Sequence, residues 1–103
     1  MSNQTAFRAL ADPTRRDILT ALSDGEMTVK QLTERFPMTR AAVKKHLVIL
    51  EVGGLLTSRK QGRETLNKLN PEGLKPVTDW LAYFDQFWDT HLTNLQSVFD
   101  KKD

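Results

Sequence analysis

The sequence predicts a mainly α-helical fold with one small antiparallel β-hairpin, and three observations lead to this fold class. Two short amphipathic segments, residues 28–36 and 39–52, follow each other with only a brief break between them. The glycine pair at residues 53–54 ends the second segment, and runs with strand character follow at residues 55–60 and 63–69. Basic residues are concentrated in the second segment and in the two strands. A helix pair that leads into a basic hairpin is typical of a winged helix-turn-helix domain.

Length and composition limit the architecture. At 103 residues the chain has the size of one domain, so residues 1–103 are expected to form a single unit. No run is long and apolar enough to span a membrane, and residues 1–5 lack a signal-peptide pattern, which favours a cytoplasmic protein without membrane contact. The absence of cysteine excludes disulfides and thiolate metal ligands.

Two helices are expected before the central pair. The chain up to Leu10 has the pattern of a short helix, with Ala6 and Phe7 on the same side as Leu10. Asp12 and Pro13 then form a helix start, with an N-cap residue followed by proline at the first helical position. The predicted buried face of this second helix consists of Ile18, Leu19 and Leu22.

The central helix pair has clear start signals. Thr28 and Gln31 have the spacing of a capping box, in which each side chain bonds to the backbone N–H of the other residue. Thr39 is a good N-cap for the next helix. In that helix one apolar stripe is expected to face the core and consists of Val43, Leu47 and Leu50.

The charge distribution indicates a polyanionic partner. Residues 39–68 contain seven basic residues and two acidic ones, whereas residues 1–38 are balanced and residues 69–103 have six acidic residues against three basic ones. The predicted contacts to double-stranded DNA from the second helix are Thr39, Arg40, Ala42, Lys44, Lys45 and His46. Those from the hairpin, whose tip is placed at Gln61-Gly62, are Arg59, Lys60, Gln61 and Arg63.

Each of these residues also has a structural interpretation. Thr39 is first of all a helix cap, and His46 could pack inside the domain instead of contacting DNA. Charges on the helix could form a solvated face, and basic residues on the hairpin could serve to discourage edge-to-edge aggregation.

The C-terminal segment is unusually apolar. Asn70 and Pro71 start another predicted helix, in which Pro76 either introduces a kink or marks the beginning of the straight part. Residues 71–99 are predicted to form a helix for homodimerisation, with an ordinary core helix as the alternative. The predicted dimer contacts are Phe7, Trp80, Leu81, Phe84, Phe87, Trp88, His91 and Leu95.

Several motifs resemble a known family. The run LADPTRRDIL at residues 10–19 is similar to the opening signature of ArsR-type winged helix-turn-helix repressors. Residues 38–50 resemble the DNA-reading helix of that family, and GLL at residues 54–56 with RKQGR at residues 59–63 resemble its wing. The C-terminal aromatic residues are most similar to the SdpR-like branch of small autorepressors that lack metal-binding cysteines. The resemblance implies a DNA-binding homodimer that represses transcription, often of its own operon.

Some members of that family sense metals, and here the sequence departs from their patterns. The helix at residues 28–36 contains none of the cysteines that bind soft metals in the family. Asp89 and His91 match the first half of another metal motif, but Lys102 stands where its later histidine is expected. No metal and no cofactor is therefore expected. A structural role for His91 is favoured, with an atypical metal site and a pH-sensitive contact as the alternatives.

Other classes of function fit less well. The chain has no glycine-rich phosphate loop, no cysteine and no recognisable nucleophile motif, so an enzyme is not expected. A winged helix can also serve as a protein-interaction module, but that function predicts an uncharged or acidic second helix, and the second helix here is basic. RNA binding is disfavoured because the major groove of A-form RNA does not admit a helix. The sequence predicts a repressor that binds a palindromic operator, and the effector stays unknown.

Overall fold

The structure is a computed structural model that describes residues 4–87. Five α-helices, three strands and one 3-10 helix follow each other within this part of the chain. In chain order they are α1 (Gln4–Leu10), α2 (Pro13–Leu22), β1 (Met27–Thr28), α3 (Val29–Arg35), α4 (Arg40–Val52), β2 (Leu56–Gln61), β3 (Glu64–Leu69), the 3-10 helix (Pro71–Leu74) and α5 (Lys75–Ala82). None of the helices within residues 4–87 has the length and apolar character that a membrane crossing requires.

Three of the predicted helix starts are confirmed by their hydrogen bonds, whereas the side chain of Asn70 caps no helix and donates to the carbonyl of Gly54 at 2.9 Å. Asp12 accepts from the backbone N–H groups of Thr14 at 2.8 Å and Arg15 at 3.2 Å, and so caps α2. Thr28 and Gln31 form the reciprocal capping box at the start of α3. Thr39 caps α4 by accepting from the N–H of Ala42 at 3.1 Å. These caps fix where the two helices of the helix-turn-helix unit begin.

A glycine turn ends α4 and directs the chain into the sheet. Gly54 has a φ of +78°, in the left-handed region, which glycine adopts without steric cost. The N–H of Gly54 donates to the carbonyl of Glu51, and the N–H of Leu55 donates to the carbonyl of Leu50, both at 2.9 Å. This is the Schellman pattern, and it explains why the predicted glycine pair ends the helix.

The hydrophobic core lies between the helices and the base of the sheet. The predicted stripe of α4 is buried, as is the predicted face of α2, and both meet apolar residues of α3. The fully buried large side chains are Ile18, Leu32, Leu50, Leu55, Leu56 and Val43. The core therefore holds α4 by one face and leaves its opposite face to solvent.

The sheet has one more strand than predicted. β1 pairs antiparallel with β3, which also pairs with β2, so the strand order is β1-β3-β2. The predicted turn at Gln61-Gly62 was wrong by one residue, because Gln61 pairs with Glu64 and the two turn residues are Gly62 and Arg63. Of these two turn residues, Gly62 alone has a positive φ, of +64°, as in type II′ turns that place glycine first.

The C-terminal segment differs from one continuous helix. A 3-10 helix precedes α5, and α5 starts with Lys75 and Pro76. After Ala82 a turn follows at residues 83–84, in which the N–H of Phe84 donates to the carbonyl of Leu81 at 2.9 Å, and residues 85–87 are helical again. The remainder of the predicted dimerisation helix, including Trp88, His91 and Leu95, lies outside the described residues.

Replacing Gly73 with alanine is expected to destabilise the fold by about 1–3 kcal/mol, as overpacking of a core does. A Cβ atom at this position would lie 2.6 Å from the carbonyl carbon of Gly54 and 3.1 Å from the Cα of Leu55. Both neighbours are backbone atoms, so they cannot move aside without shifting the chain. Urea unfolding measures the change, with Glu72→Ala at an exposed neighbouring position as the control. Equal stability of the two variants would contradict the close contact.

Candidate nucleic-acid interface

The exposed face of α4 contains the predicted helix contacts. Lys44 and Lys45 are exposed in the middle of the helix, and Arg40 is exposed in its first turn. Ala42 is half-buried. Because the opposite face is anchored in the core, these cations project from a rigid element into solvent. Such an arrangement can place basic side chains against phosphates and base edges in a major groove.

Thr39 has the structural role that the sequence indicated. Its hydroxyl oxygen accepts the hydrogen bond that caps α4. The residue is exposed, so its hydroxyl hydrogen can point outward and donate to an anion. Thr39 can therefore cap the helix and donate a hydrogen bond beside Arg40 at the same time.

Val48 belongs to the same face, and sequence reasoning missed it. Its side chain is 57 % exposed although it is apolar. It lies one helical turn after Lys44, and Val52, 68 % exposed, lies one turn further on. The signal in the sequence was its position beside the lysines and away from the buried stripe. An exposed valine on such a face can contact thymine methyl groups.

The hairpin of β2 and β3, which we call the wing, has two cations at its tip. Lys60 and Arg63 are exposed, and Gln61 beside them is exposed as well. Side chains alternate between the two faces of a strand, so Lys60 lies on the same face as Ser58. The hydroxyl of Ser58 donates to the carboxylate of Glu51 on α4 at 2.9 Å. Lys60 therefore lies on the side of the wing that faces α4.

Arg59 has a different environment from the other wing cations. Its guanidinium donates to the carboxylate of Glu26 at 2.9 Å, and its other terminal nitrogen is 3.4 Å from the side-chain oxygen of Gln61. Glu26 precedes β1, so the ion pair crosses β3 on the sheet face opposite to Ser58. Arg59 braces the wing in the free protein, and this partner was not visible in the sequence because Glu26 is 33 residues away.

His46 is half-buried, and it faces the N-terminal helices. Its Nδ1 atom lies 3.5 Å from a guanidinium nitrogen of Arg15. The structure thus places His46 at the edge of the α4 surface, in contact with the start of α2. Among the predicted helix contacts it is the one with an internal side-chain partner in the described part of the chain.

A cleft of about 210 Å³ separates α4 from the sheet. Its floor contains Val29 and Leu47, and its rim contains Lys44, Glu51 and Ser58. The Ser58–Glu51 hydrogen bond spans this cleft and connects the hairpin to α4. The helix and the wing consequently form one continuous surface, on which basic residues lie at both sides of the cleft.

Replacing Asp12 with asparagine is expected to reduce the acid sensitivity of the fold. The pKa of Asp12 is lowered below its ordinary value of 3.8, chiefly because its carboxylate accepts a hydrogen bond from the backbone N–H of Arg15. The backbone N–H of Thr14 and the Arg15 guanidinium lower the pKa further, whereas burial raises it. Since the unfolded chain binds this proton more readily, the stabilisation is present above pH 3.8 and is lost as the pH falls through the lower pKa of the folded state.

Urea midpoints at about pH 5 and about pH 3 measure this effect. The Asp12→Asn variant should lose less stability between the two conditions than the unchanged chain, because asparagine still caps the helix. Asp17→Asn, an exposed change on the same helix, is the control. An equal loss in all three proteins would show that Asp12 makes no contribution.

Comparisons with known proteins find relatives among transcriptional regulators. Residues 10–59 match the family described as a helix-turn-helix domain. The transcriptional regulator Rv2034 of Mycobacterium tuberculosis is 35 % identical, over 98 % of this chain and 92 % of its own length. The transcriptional repressor SdpR of Bacillus subtilis is 31 % identical, over 84 % of this chain and 96 % of its own length.

Solved structures confirm the predicted winged helix-turn-helix fold. The crystal structure of an ArsR family transcriptional regulator has a TM-score of 0.76 and 38 % identity, covering 84 % of this chain and 94 % of the other. A solution structure of a homodimeric winged helix-turn-helix DNA-binding domain from Mycobacterium bovis has a TM-score of 0.66 at 23 % identity, covering 79 % and 78 %, and shows likeness of fold alone.

Proposed function

Because the chain belongs to the ArsR family of winged helix-turn-helix transcriptional regulators, we propose that it is a cytoplasmic repressor that binds a palindromic operator as a homodimer. It is a DNA-binding regulator and not an enzyme. The observation that carries the proposal is the exposed face of α4, on which Lys44, Lys45 and Val48 project from a helix that the core holds rigidly.

In the proposed complex α4 enters the major groove, where Arg40 and Lys44 donate to guanine edges and Lys45 neutralises a phosphate. The wing tip, with Lys60 and Arg63, follows the backbone into the neighbouring minor groove. Arg59 joins this contact only if it leaves Glu26, so Lys60 and Arg63 provide most of the wing's affinity. His46 contributes through its position rather than through base contact.

The proposed dimer surface combines α1 with α5. The ring of Phe7 contacts Trp80 edge to face, with centroids 5.7 Å apart, and Trp80 contacts Phe84 in the same manner at 5.2 Å. Trp80 is nevertheless 55 % exposed, and Leu81 and Phe87 are 44 % and 49 % exposed. A contiguous exposed aromatic patch marks an interaction surface. The proposed occupant is a second copy of the chain, because closed twofold dimers are the commonest soluble oligomers.

We also propose that repression is metal-independent and autoregulatory. The donor set of the family's soft-metal site cannot form on α3, because the chain contains no cysteine. No cluster of three or more histidine or acidic residues suited to a metal occurs within residues 4–87. Asp89 and His91, the half motif of an atypical site, lie outside the described residues. The 31 % identity to the repressor SdpR over 84 % of this chain supports the SdpR-like branch that the sequence resembles, and that resemblance is the ground for proposing autoregulation without a metal.

Binding of the full chain to duplex DNA from upstream of its own gene tests the proposed function. Fluorescence anisotropy with added chelator and excess unrelated duplex should show retained, selective binding. Affinity should also fall steeply with salt, since phosphate contacts release counterions. Equal affinity for unrelated duplex would leave only non-specific binding, and no binding at low salt would favour the protein-interaction module. DNA binding that is lost with chelator and restored by an added metal ion would instead favour a metal-responsive repressor.

A further inference from the structure

Arg15 joins three helices at one point. Its side chain is only 12 % exposed, and it lies in the first turn of α2. The Nε atom donates to the carbonyl of Ala9 at 2.7 Å, and one terminal nitrogen donates to the carbonyl of Arg8 at 3.0 Å. The other terminal nitrogen lies 3.5 Å from Nδ1 of His46 on α4 and 3.8 Å from the Asp12 carboxylate. One guanidinium thus contacts the end of α1, the start of α2 and the middle of α4.

Arg15 satisfies the carbonyl of Ala9, which the helix itself leaves open, and is a second donor to the carbonyl of Arg8, which also accepts from the N–H of Ala11 at 3.2 Å. The carbonyls of Arg8 and Ala9 belong to the last turn of α1, where helical donors run out. The residue four positions after Ala9 is Pro13, which has no N–H to donate. Arg15 supplies the donor that Pro13 lacks, and its planar fork reaches both carbonyls while a further nitrogen stays directed at His46.

The chemistry of the Arg15–His46 contact fixes the state of the imidazole. A guanidinium is always charged and can only donate hydrogen bonds. For this contact to be a hydrogen bond, Nδ1 of His46 has to accept, which requires the ring hydrogen to lie on Nε2. At 3.5 Å this is a long hydrogen bond.

A second contact holds α1 against the end of α4. A Cβ atom at Gly53 would lie 2.9 Å from the carbonyl oxygen of Thr5 and 3.2 Å from the Cβ of Ala9, so the two helices approach as closely as glycine allows. α1 also contains Phe7, which contacts Trp80 of the proposed dimer surface. α1 therefore touches the aromatic surface on one side and the recognition helix on the other.

We propose that Arg15 and His46 are positioning residues that hold α4 in its DNA-reading orientation against α1. His46 then supports operator binding through Arg15 and without touching DNA. This inference rests on the proposed function, because it explains how the helix of that site is oriented. Its consequence is that the dimer surface and the DNA surface share one rigid connection, through α1, Arg15 and His46.

Nitrogen-15 NMR of the imidazoles in the full chain tests the contact itself, without DNA. At about pH 8, where a free imidazole is neutral, His46 should show an unprotonated Nδ1 and a protonated Nε2. In the Arg15→Lys variant the Nδ1 resonance should shift, because the hydrogen bond that this nitrogen accepts is changed. A hydrogen on Nδ1 in the unchanged protein would overturn the proposal, whatever the DNA experiments show.

Operator binding then tests the positioning role. His46→Ala should weaken binding by about 2- to 30-fold, as mutations along a coupling contact do. His46→Asn should restore most of the affinity, because its carboxamide oxygen can accept from Arg15 in place of Nδ1. Equal losses in the two variants would contradict a role through this hydrogen bond.

A double-mutant cycle separates positioning from direct contact. If His46 acts through Arg15, the Arg15→Lys/His46→Ala double variant should bind no worse than the weaker single variant. Additive losses would mean that His46 contacts DNA by itself and would overturn the proposal. If the Arg15→Lys variant does not fold, two measurements still test whether His46 acts through Arg15. They are the comparison of His46→Ala with His46→Asn and the NMR spectrum of the unchanged protein. If the unchanged protein binds no DNA, the proposed function fails while the imidazole state still tests the contact.

Discussion

Alanine at Lys44 should weaken operator binding by about 1–3 kcal/mol in each half-site, which corresponds to roughly 5- to 150-fold. Lys44 is exposed on α4 at the rim of the cleft to the sheet, outside the buried stripe, so its removal takes away a donor and leaves the core unchanged. Alanine at Arg40 should have an effect of similar size, because this residue lies in the first turn of α4, which reaches deepest into the groove. Anisotropy titrations at fixed salt measure both losses.

Lys75→Ala is the matched control for these variants. Lys75 is a lysine of 75 % side-chain exposure on α5, so its loss changes the net charge equally without touching α4. A base-reading lysine should also lose discrimination between operator and unrelated duplex, whereas a phosphate contact should weaken both. Unchanged operator affinity in both the Lys44 and the Arg40 variant would refute the assignment of α4 as the reading helix.

Alanine at Trp80 should raise the dissociation constant of the dimer by at least about 30-fold, in line with interface anchors that contribute about 2 kcal/mol or more. Trp80 contacts both Phe7 and Phe84 within the chain and still exposes more than half of its surface. Each dimer contains two copies of Trp80, so the substitution removes its contribution to the binding free energy twice. Sedimentation velocity over a concentration series measures it, and operator affinity should fall in parallel because one half-site binds weakly.

Trp80→Ala also removes packing within the protomer, so a second variant is needed. Leu81→Lys leaves the aromatic contacts in place and puts a charge on the exposed surface, where it should oppose association. Asp79→Ala, on the same helix and paired with Lys75, is the control. Intact dimers of both the Trp80 and the Leu81 variant at micromolar concentration would show that this surface is not the seam.

Local signals made most of the helices predictable. Asp12, Thr28 and Thr39 each bond within three residues of their own position, so the sequence contains both partners of each cap. The stripe of α4 was predictable for a similar reason, because helical periodicity decides which side is buried once the helix exists. The basic charge of α4 and of the wing was predictable because it follows from the number of charged residues in each segment of the sequence.

The features that sequence reasoning missed depend on distant partners. β1 contains only two residues, and its strand character comes from pairing with Asn67 and Leu66. The environment of Arg59 depends on Glu26, and that of His46 depends on Arg15, 31 residues earlier. The exposure of Val48 follows from how α4 lies on the core. The turn of the wing was misplaced because Gly62 fits two adjacent turn positions, and only the strand register distinguishes them.

Selection of bound duplexes from a random library by the full-length chain tests the central claim most directly. The account predicts enrichment of an inverted repeat with half-sites about 10–10.5 base pairs apart, centre to centre, since two α4 helices of a twofold dimer enter successive major grooves. The Lys44→Ala variant should enrich the same repeat more weakly, or should no longer select one particular base in each half-site. No enrichment over the starting library, or enrichment of a site without twofold symmetry, would contradict a dimeric sequence-specific repressor.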